Sequence, residues 1–161
     1  MSIRKAFAAL VAAAALVLVG AASPAMAGNP HFIKNATSAS LDGVDLVVQF
    51  KEAGLESGSV ETVVASADLS ATYSCVNGGN HVPADPKKTT VDSRLAASGE
   101  FEAGKNGNIV GSLTLVPTPA AQALDCPPGQ TATLISVVWS NVTVEDLDSG
   151  AFIALKGTFS S

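Results

Sequence analysis

Apolar and polar residues alternate with a period of two along most of the chain after residue 27, as they do in half-buried β-strands. The segment 44–51 puts four apolar side chains on one face: Val44, Leu46, Val48 and Phe50. The opposite face carries Asp45, Gln49 and Lys51. In the segment 68–75 the apolar series is Leu69, Ala71, Tyr73 and Cys75. This phase predicts that Cys75 continues the core stripe at the end of a strand.

Two further stretches predict hairpins. Residues 95–101 and 109–115 alternate on either side of Asn106-Gly107, a pair that tight hairpin turns with positive φ angles prefer. Residues 131–145 predict a long strand, followed by a turn at 146–150 and a closing strand through 153–159. The apolar phase of the long strand changes between Trp139 and Val142, which predicts a β-bulge near Ser140 and Asn141.

The number of strand segments favours an all-β fold. Weaker alternation at 32–41 and 60–67 adds two strands, which gives seven to eight strands with turn residues between them. No segment of about ten residues has the helical period. The pattern predicts an antiparallel β-sandwich, with a closed β-barrel as the alternative.

The first 27 residues have the features of a secretory signal peptide. Arg4 and Lys5 precede an apolar run from 6 to 19, and Ala25 and Ala27 occupy the small positions of a cleavage site. The apolar run is shorter than the roughly 20 residues of a membrane span. We expect cleavage after Ala27, secretion, and a single all-β domain over residues 28–161. An uncleaved N-terminal anchor is the alternative.

Charge narrows the range of partners. The full sequence has a formal net charge of −5, and the segment 28–161 keeps seven basic and fourteen acidic residues, a formal net charge of −7. A surface of this charge repels phosphate backbones, so we expect no binding to nucleic acid. We expect a monomer without membrane contact after cleavage, whose partner is an extracellular protein or an envelope component.

Cys75 and Cys126 are the only cysteines, and an even count in an exported chain predicts a disulfide. A bridge over about fifty residues stabilises a fold by roughly 4 kcal/mol in the chain-entropy model. The alternative is a Cys75 nucleophile with His81 as its base, but no third residue to orient His81 is evident. A zinc site would require three or four ligands in closely spaced pairs.

Catalytic motifs are scarce. The sequence has two histidines, His31 and His81, and contains neither a Gly-x-Ser-x-Gly elbow, a His-Glu-x-x-His motif nor a glycine-rich phosphate loop. The fourteen acidic residues leave a glycosidase-type carboxylate pair open, although no motif places two of them together. We expect no catalytic residue, no cofactor and a protein that is not an enzyme.

The stretch "ATYSC" at 71–75 is similar to the Ala-x-Tyr-x-Cys pattern of immunoglobulin-like domains, in which the tyrosine hydroxyl caps a corner. In this chain the motif stands before the first cysteine, and Trp139 lies outside the bridged segment. The export signal, the acidic all-β pattern and the stretches "YSCVNGGN" and "CPPGQ" resemble small secreted proteins of actinomycetes. The resemblances imply an immunoglobulin-like sandwich from a bacterium and carry no activity with them.

Two polar loops, 76–88 and 117–130, are the candidate binding segments, because the predicted bridge would join them at one end of the sandwich. Their candidate binding residues are Asn77, Asn80, His81, Lys87, Gln122 and Asp125. Ordinary surface loops are the alternative interpretation. Asp146 and Asp148, which follow Glu145, are a weaker candidate for calcium, since position twelve from Asp146 is Gly157 where an EF-hand has glutamate.

These observations favour a non-catalytic extracellular binding module or a cell-surface structural module. The alternative is a small secreted ligand carrier, similar in architecture to the apoproteins that hold enediyne chromophores, or a secreted protease inhibitor. A deep apolar cleft between the sheets would favour the carrier. A rigid, protruding loop around residues 124–130 would favour the inhibitor.

Overall fold

The computed structural model describes residues 28–79, 81–84 and 86–161. The predicted signal peptide, its cleavage site and Asn80 lie outside these residues. The nine strands of the described part are β1 His31–Phe32, β2 Ser38–Asp42, β3 Asp45–Ala53, β4 Val60–Asn77, β5 Lys88–Glu102, β6 Asn108–Leu115, β7 Gln130–Asp146, β8 Phe152–Ala154 and β9 Phe159–Ser160. A 3₁₀ turn covers Lys34–Ala36, and one short helix, α1, covers Ala120–Ala123.

The strands form two antiparallel sheets. In the first, β3 is central and pairs with β1 and β2 along one edge and with β6 along the other. In the second, the order is β5, β4, β7, and then β8 and β9 together along the outer edge of β7. The sheets do not close into a barrel, so the predicted β-sandwich is confirmed.

The core lies between the sheets and follows the predicted alternation. Leu46, Val48 and Phe50 of β3 are buried, as is the series from Leu69 to Cys75 on β4. Trp139 of β7 is fully buried, and its indole N–H donates to the carbonyl oxygen of Val44 at 3.0 Å. This hydrogen bond joins the two sheets. Val44 itself is 38% exposed, because it lies in the tight turn that precedes β3.

The predicted C-terminal hairpin and its bulge are confirmed. β7 pairs with β8 and β9 in antiparallel register. The register between β4 and β7 shifts where Ser66 pairs with Thr143 and Asp68 pairs with Ser140, so that β7 carries one extra residue there. Asn141 has a φ of 50°, in the left-handed region that asparagine tolerates better than most residues. A second register shift, at Thr72 and Tyr73, was not predicted.

The predicted hairpin at Asn106-Gly107 is wrong. A turn does form, because the amide of Gly107 donates to the carbonyl oxygen of Gly104 at 2.8 Å, but β5 pairs with β4 and β6 pairs with β3. The turn therefore carries the chain from one sheet to the other. Gly107 has a φ of 65° and passes the carbonyl oxygen of Leu55 so closely that a Cβ would lie 2.1 Å from it.

The strand count exceeds the predicted seven to eight because two predicted strands are each divided. The 3₁₀ turn interrupts the segment 32–41, which gives β1 and β2. The closing segment gives β8 and β9. Conversely, the segments 60–67 and 68–75 join in the single long strand β4. Within the described ranges, neither short helical element has the length and apolar character needed to cross a bilayer.

Candidate functional site

One end of the sandwich is fastened by a disulfide. Cys75, near the end of β4, is bonded to Cys126 in the segment between β6 and β7, as predicted. Two residues earlier on the same face of β4, the Tyr73 hydroxyl donates to the carbonyl oxygen of Thr118 at 2.7 Å. Burial raises the pKa of Tyr73, so the hydroxyl keeps the proton that it donates. The segment 116–129 is thus held to β4 at two points.

The segment 78–87, between β4 and β5, lies against the same strand end. The amide of Cys75 donates to the carbonyl oxygen of Lys87 at 2.9 Å, and the amide of Asn77 donates to the carbonyl oxygen of His81 at 2.9 Å. The Lys87 ammonium also donates to the carbonyl oxygen of Asp125 at 2.7 Å, which joins this segment to 116–129. We call the described residues of 78–87, together with the segment 116–129, the bridged loops.

The predicted binding residues that the structure describes lie at this end and are exposed. They are Asn77, His81, Lys87, Gln122 and Asp125. Backbone hydrogen bonding brings Asn77 and His81 together, and the Lys87 side chain reaches the backbone of Asp125. Among the described candidates, Gln122, in α1, makes no hydrogen bond to the other four. The structure therefore brings two pairs together and places Gln122 apart from them.

The tip of the second bridged loop is a defined turn. The amide of Gln130 donates to the carbonyl oxygen of Pro127 at 3.1 Å, and Gly129 has a φ of 84°. Proline at the second position and glycine at the third are the residues that a type II turn favours. Pro127, Pro128 and Gly129 are exposed. The turn directly follows the disulfide and directly precedes β7, so this short exposed segment has both ends fixed.

Four carboxylates meet at the opposite end of the sandwich. Glu61 stands fourteen residues before Cys75 on β4, roughly 45 Å away at the rise of an extended strand. One carboxylate oxygen of Glu61 lies within 4.8 Å of one from Asp146 and one from Asp148, and the same holds between these two. Glu52, at the end of β3, contacts Asp146 through its side chain. We call these four residues the carboxylate cluster.

The cluster is built from both sheets. Glu52 comes from the first sheet, Glu61 and Asp146 from the second, and Asp148 from the turn after β7. Glu52 and Asp146 have no exposed surface and Glu61 is 7% exposed, whereas Asp148 is exposed. The cluster is therefore closed toward the core and open to solvent on the Asp148 side.

Each carboxylate accepts a hydrogen bond from a nearby donor. The Ser149 hydroxyl donates to Oε1 of Glu52 at 2.9 Å, and the amide of Asp148 donates to Oδ1 of Asp146 at 3.0 Å. The amide of Thr62 donates to Oδ2 of Asp148 at 2.7 Å. Ser59 donates through its hydroxyl to Glu61.

Two oxygen atoms of the cluster are buried without a hydrogen-bond donor: Oε2 of Glu52 and Oδ2 of Asp146. Two ionised carboxylates cannot hydrogen-bond to each other, because neither has a proton to donate. Among the described residues, the only ion pair with N···O within 4.0 Å is that of Arg94 with Asp68, on the outer face of the second sheet. No described basic side chain therefore forms an ion pair with the cluster.

This environment favours the neutral form of one carboxyl group. Burial raises the pKa of Glu52 to about 7, and the charges of Asp146 and Glu61 act in the same direction. The hydrogen bond from Ser149 opposes this change. In the absence of a cation, protonated Glu52 can donate a hydrogen bond to the carboxylate of Asp146. This hydrogen bond provides a partner for both carboxyl groups.

The weaker calcium prediction identified two members of the cluster, Asp146 and Asp148, and missed Glu52 and Glu61. The signal was present in the alternation. Glu52 continues the inward phase of Leu46, Val48 and Phe50, and Glu61 precedes the inward series of β4 with the same parity. Glu145 faces away from the cluster and is exposed.

Comparisons with known proteins give no match from which a role for the bridged loops or the carboxylate cluster could be taken. No protein-family model matches the chain, and no curated protein and no solved structure is significantly similar to it. The immunoglobulin-like character and the resemblance to actinomycete proteins therefore stay predictions.

Proposed function

We propose that this chain is a secreted, non-catalytic extracellular module whose bridged loops bind a protein or envelope component at the cell surface. The observation that supports the proposal most strongly is that three contacts hold two polar loops to one strand end and to each other. The attachments are the Cys75–Cys126 disulfide, the Tyr73–Thr118 hydrogen bond and the Lys87–Asp125 hydrogen bond. Loops held on a rigid scaffold are the usual carriers of binding residues.

Loops that are already ordered before a partner binds lose less conformational entropy on binding. A flexible loop loses conformational entropy when a partner orders it, at about 1–2 kcal/mol per backbone residue. The disulfide and the two hydrogen bonds remove part of that freedom before any partner arrives. Polar, exposed residues such as His81 and Gln122 then remain available for contacts at the surface.

The test compares two double variants that differ in location. His81→Ala with Gln122→Ala alters the bridged loops, and Lys105→Ala with Asn106→Ala alters the exposed turn at the other end. Labelled, oxidised protein is incubated with whole cells and with envelope fractions of the producing organism, with unlabelled protein as competitor. We expect saturable retention that the first double variant weakens and the second preserves. Equal retention of both variants would contradict the proposal.

A protease inhibitor is the second candidate, and the Pro127–Gln130 turn favours it. The turn is exposed, carries a hydrogen bond across it, and follows the disulfide directly. Stoichiometric inhibition of a secreted protease, abolished by reduction of the bridge, would favour this function over surface binding. The ligand carrier has weaker support, because Trp139, Tyr73 and Phe50 are fully buried in the core between the sheets.

A further inference from the structure

We propose that the carboxylate cluster is a calcium site in which Glu61, Asp146 and Asp148 ligate the ion and the carboxyl group of Glu52 packs against it. The proposal is independent of the bridged loops and of their partner. Its starting point is that three strand ends and one turn bring four acidic side chains together, and none of the four forms an ion pair with a described basic residue.

The spacing of the oxygen atoms fits a single ion. Calcium binds oxygen at about 2.3–2.6 Å, so two ligand oxygens of one ion lie at most about 5 Å apart. One oxygen from each of Glu61, Asp146 and Asp148 lies within 4.8 Å of the other two. Three carboxylates from different positions in the chain thus meet the distance condition without rearrangement of the backbone.

An independent observation points to a ligand. The side chains of Asp146 and Glu52 have no exposed surface, and Oδ2 of Asp146 and Oε2 of Glu52 have no hydrogen-bond donor. Buried polar atoms in proteins are nearly always paired, and a buried carboxylate is normally paired with a cation or with hydrogen-bond donors. When both carboxyl groups are ionised, the protein's own donors leave these two oxygen atoms unpaired, and a cation within the cluster would satisfy them.

The donor set favours calcium over other metals. The described cluster offers carboxylate oxygens and neither imidazole nor thiolate, and both cysteines are in the disulfide. Oxygen-only sites suit calcium, magnesium and manganese, whereas zinc and copper prefer nitrogen or sulfur ligands. Magnesium requires near-ideal octahedral geometry and keeps several waters, which a cluster closed toward the core accommodates poorly. Calcium accepts irregular coordination and carboxylates that bind through one or both oxygens.

The position of the cluster explains what the ion would do. Glu52 belongs to the first sheet, and the three ligands belong to the second sheet and its terminal turn. An ion bound there would replace repulsion between carboxylates by attraction, and through its contact with Glu52 it would favour the packing of the first sheet on the second opposite the disulfide. The exposed Asp148 side leaves a path for the ion. Calcium sites of extracellular modules bind in the range of about 10⁻⁴–10⁻³ M, which is the affinity we expect.

The experiment measures calcium binding to the oxidised protein after treatment with EDTA and removal of the chelator. Isothermal titration calorimetry is expected to show one ion per chain. Thermal unfolding in about 10 mM CaCl₂ is expected to occur at least about 3 °C higher than in NaCl of equal ionic strength. An equal concentration of MgCl₂ is expected to produce a smaller increase.

Three variants identify the location. Asp146→Asn and Asp148→Asn each remove the charge of one ligand and are expected to weaken calcium binding at least about tenfold. Because Asp148 is exposed, its variant retains the fold even if the Asp146 variant does not. Glu145→Gln removes the neighbouring carboxylate that faces away from the cluster, and it is expected to bind calcium as the unaltered protein does.

Three outcomes would overturn the assignment. The first is the absence of calcium binding up to about 10 mM, well above the expected affinity range. The second is an equal loss of binding in the Asp148 and Glu145 variants, which would indicate general attraction to an acidic surface. The third is a larger thermal stabilisation by magnesium than by calcium, which would assign the cluster to the smaller ion.

Discussion

Replacement of Glu52 by Gln tests the electrostatics of the carboxylate cluster in the metal-free protein. The pKa of Glu52 is about 7 in the folded protein, against an ordinary value of 4.5. The unfolded chain therefore releases this proton at a lower pH than the folded protein does. As a result, the free energy of unfolding falls as the pH rises from 4.5 to about 7, and then levels off. At ~1.4 kcal/mol per pH unit, the loss is about 3 kcal/mol.

Glutamine at position 52 is neutral at every pH and can make both hydrogen bonds of a protonated glutamic acid. Its carbonyl oxygen can accept from Ser149, and its amide can donate to Asp146. We expect Glu52→Gln to lack the decrease, so that its stability relative to the unaltered protein grows by about 3 kcal/mol between pH 4.5 and pH 8. This difference in unfolding free energy between the variant and the unaltered protein should be present in full above pH 7.

The assay is urea denaturation in EDTA at constant ionic strength, with the disulfide intact, at several pH values from 4.5 to 8. Trp139 is the only tryptophan and is fully buried, so its fluorescence reports unfolding. Glu145→Gln is the matched control, because it removes an exposed carboxylate beside Asp146. Parallel pH profiles of the Glu52 variant and the unaltered protein would refute the argument that burial keeps Glu52 protonated.

Three further predictions concern packing and the bridged loops. Gly111→Ala would place a Cβ 2.5 Å from Phe101 and 2.7 Å from Phe50, which form an edge-to-face pair, and should lower the urea-unfolding free energy by about 1–3 kcal/mol. Gly99→Ala, whose Cβ would lie 3.0 Å from Phe101, should cost less, and equal costs would contradict the packing. Tyr73→Phe removes the donor to Thr118 and should lower the free energy of unfolding by about 1–2 kcal/mol. The same variant should be cleaved faster within 116–129 in limited proteolysis, and an unchanged cleavage rate would argue against this attachment. Joint replacement of Cys75 and Cys126 by Ala should cost about 4 kcal/mol in urea unfolding, and a negligible loss would show that the bridge is not needed for the fold.

The period-two alternation predicted the core well because burial of one sheet face is a local property of the sequence. Leu46, Val48 and Phe50 needed only their own parity to be assigned inward, and the structure buries all three. The bulge at Asn141 could be predicted for the same reason, since one extra residue reverses the parity of the apolar positions. The disulfide followed from the cysteine count and the expected export.

Strand pairing could not be obtained in the same way. Asn106-Gly107 does form a turn, but a turn motif determines only that the chain reverses. The partner of each strand depends on competing long-range pairings. β5 forms fifteen register pairs with β4, from Lys88 to Glu102, and this pairing keeps it in the second sheet. β6 instead completes the first sheet beside β3.

Two members of the carboxylate cluster, Glu52 and Glu61, were missed for a different reason. Alternation assigns apolar residues to the core, and an acidic residue at an inward position is then interpreted as the end of the strand. Glu52 and Glu61 lie at such positions, and both are buried. Only the packing of the two sheets shows that these strand ends meet Asp146. An acidic residue that continues an apolar phase is therefore a useful signal for a buried polar site.

The most direct measurement of the central claim is peptide mapping, without reduction, of the protein recovered from the culture medium of its producing organism. We expect a chain that begins at Gly28, a linked peptide pair that contains Cys75 and Cys126, and no alkylation of either cysteine before reduction. Alkylation of both cysteines in the native protein, or recovery of a chain that retains residues 1–27, would contradict an exported module with bridged loops.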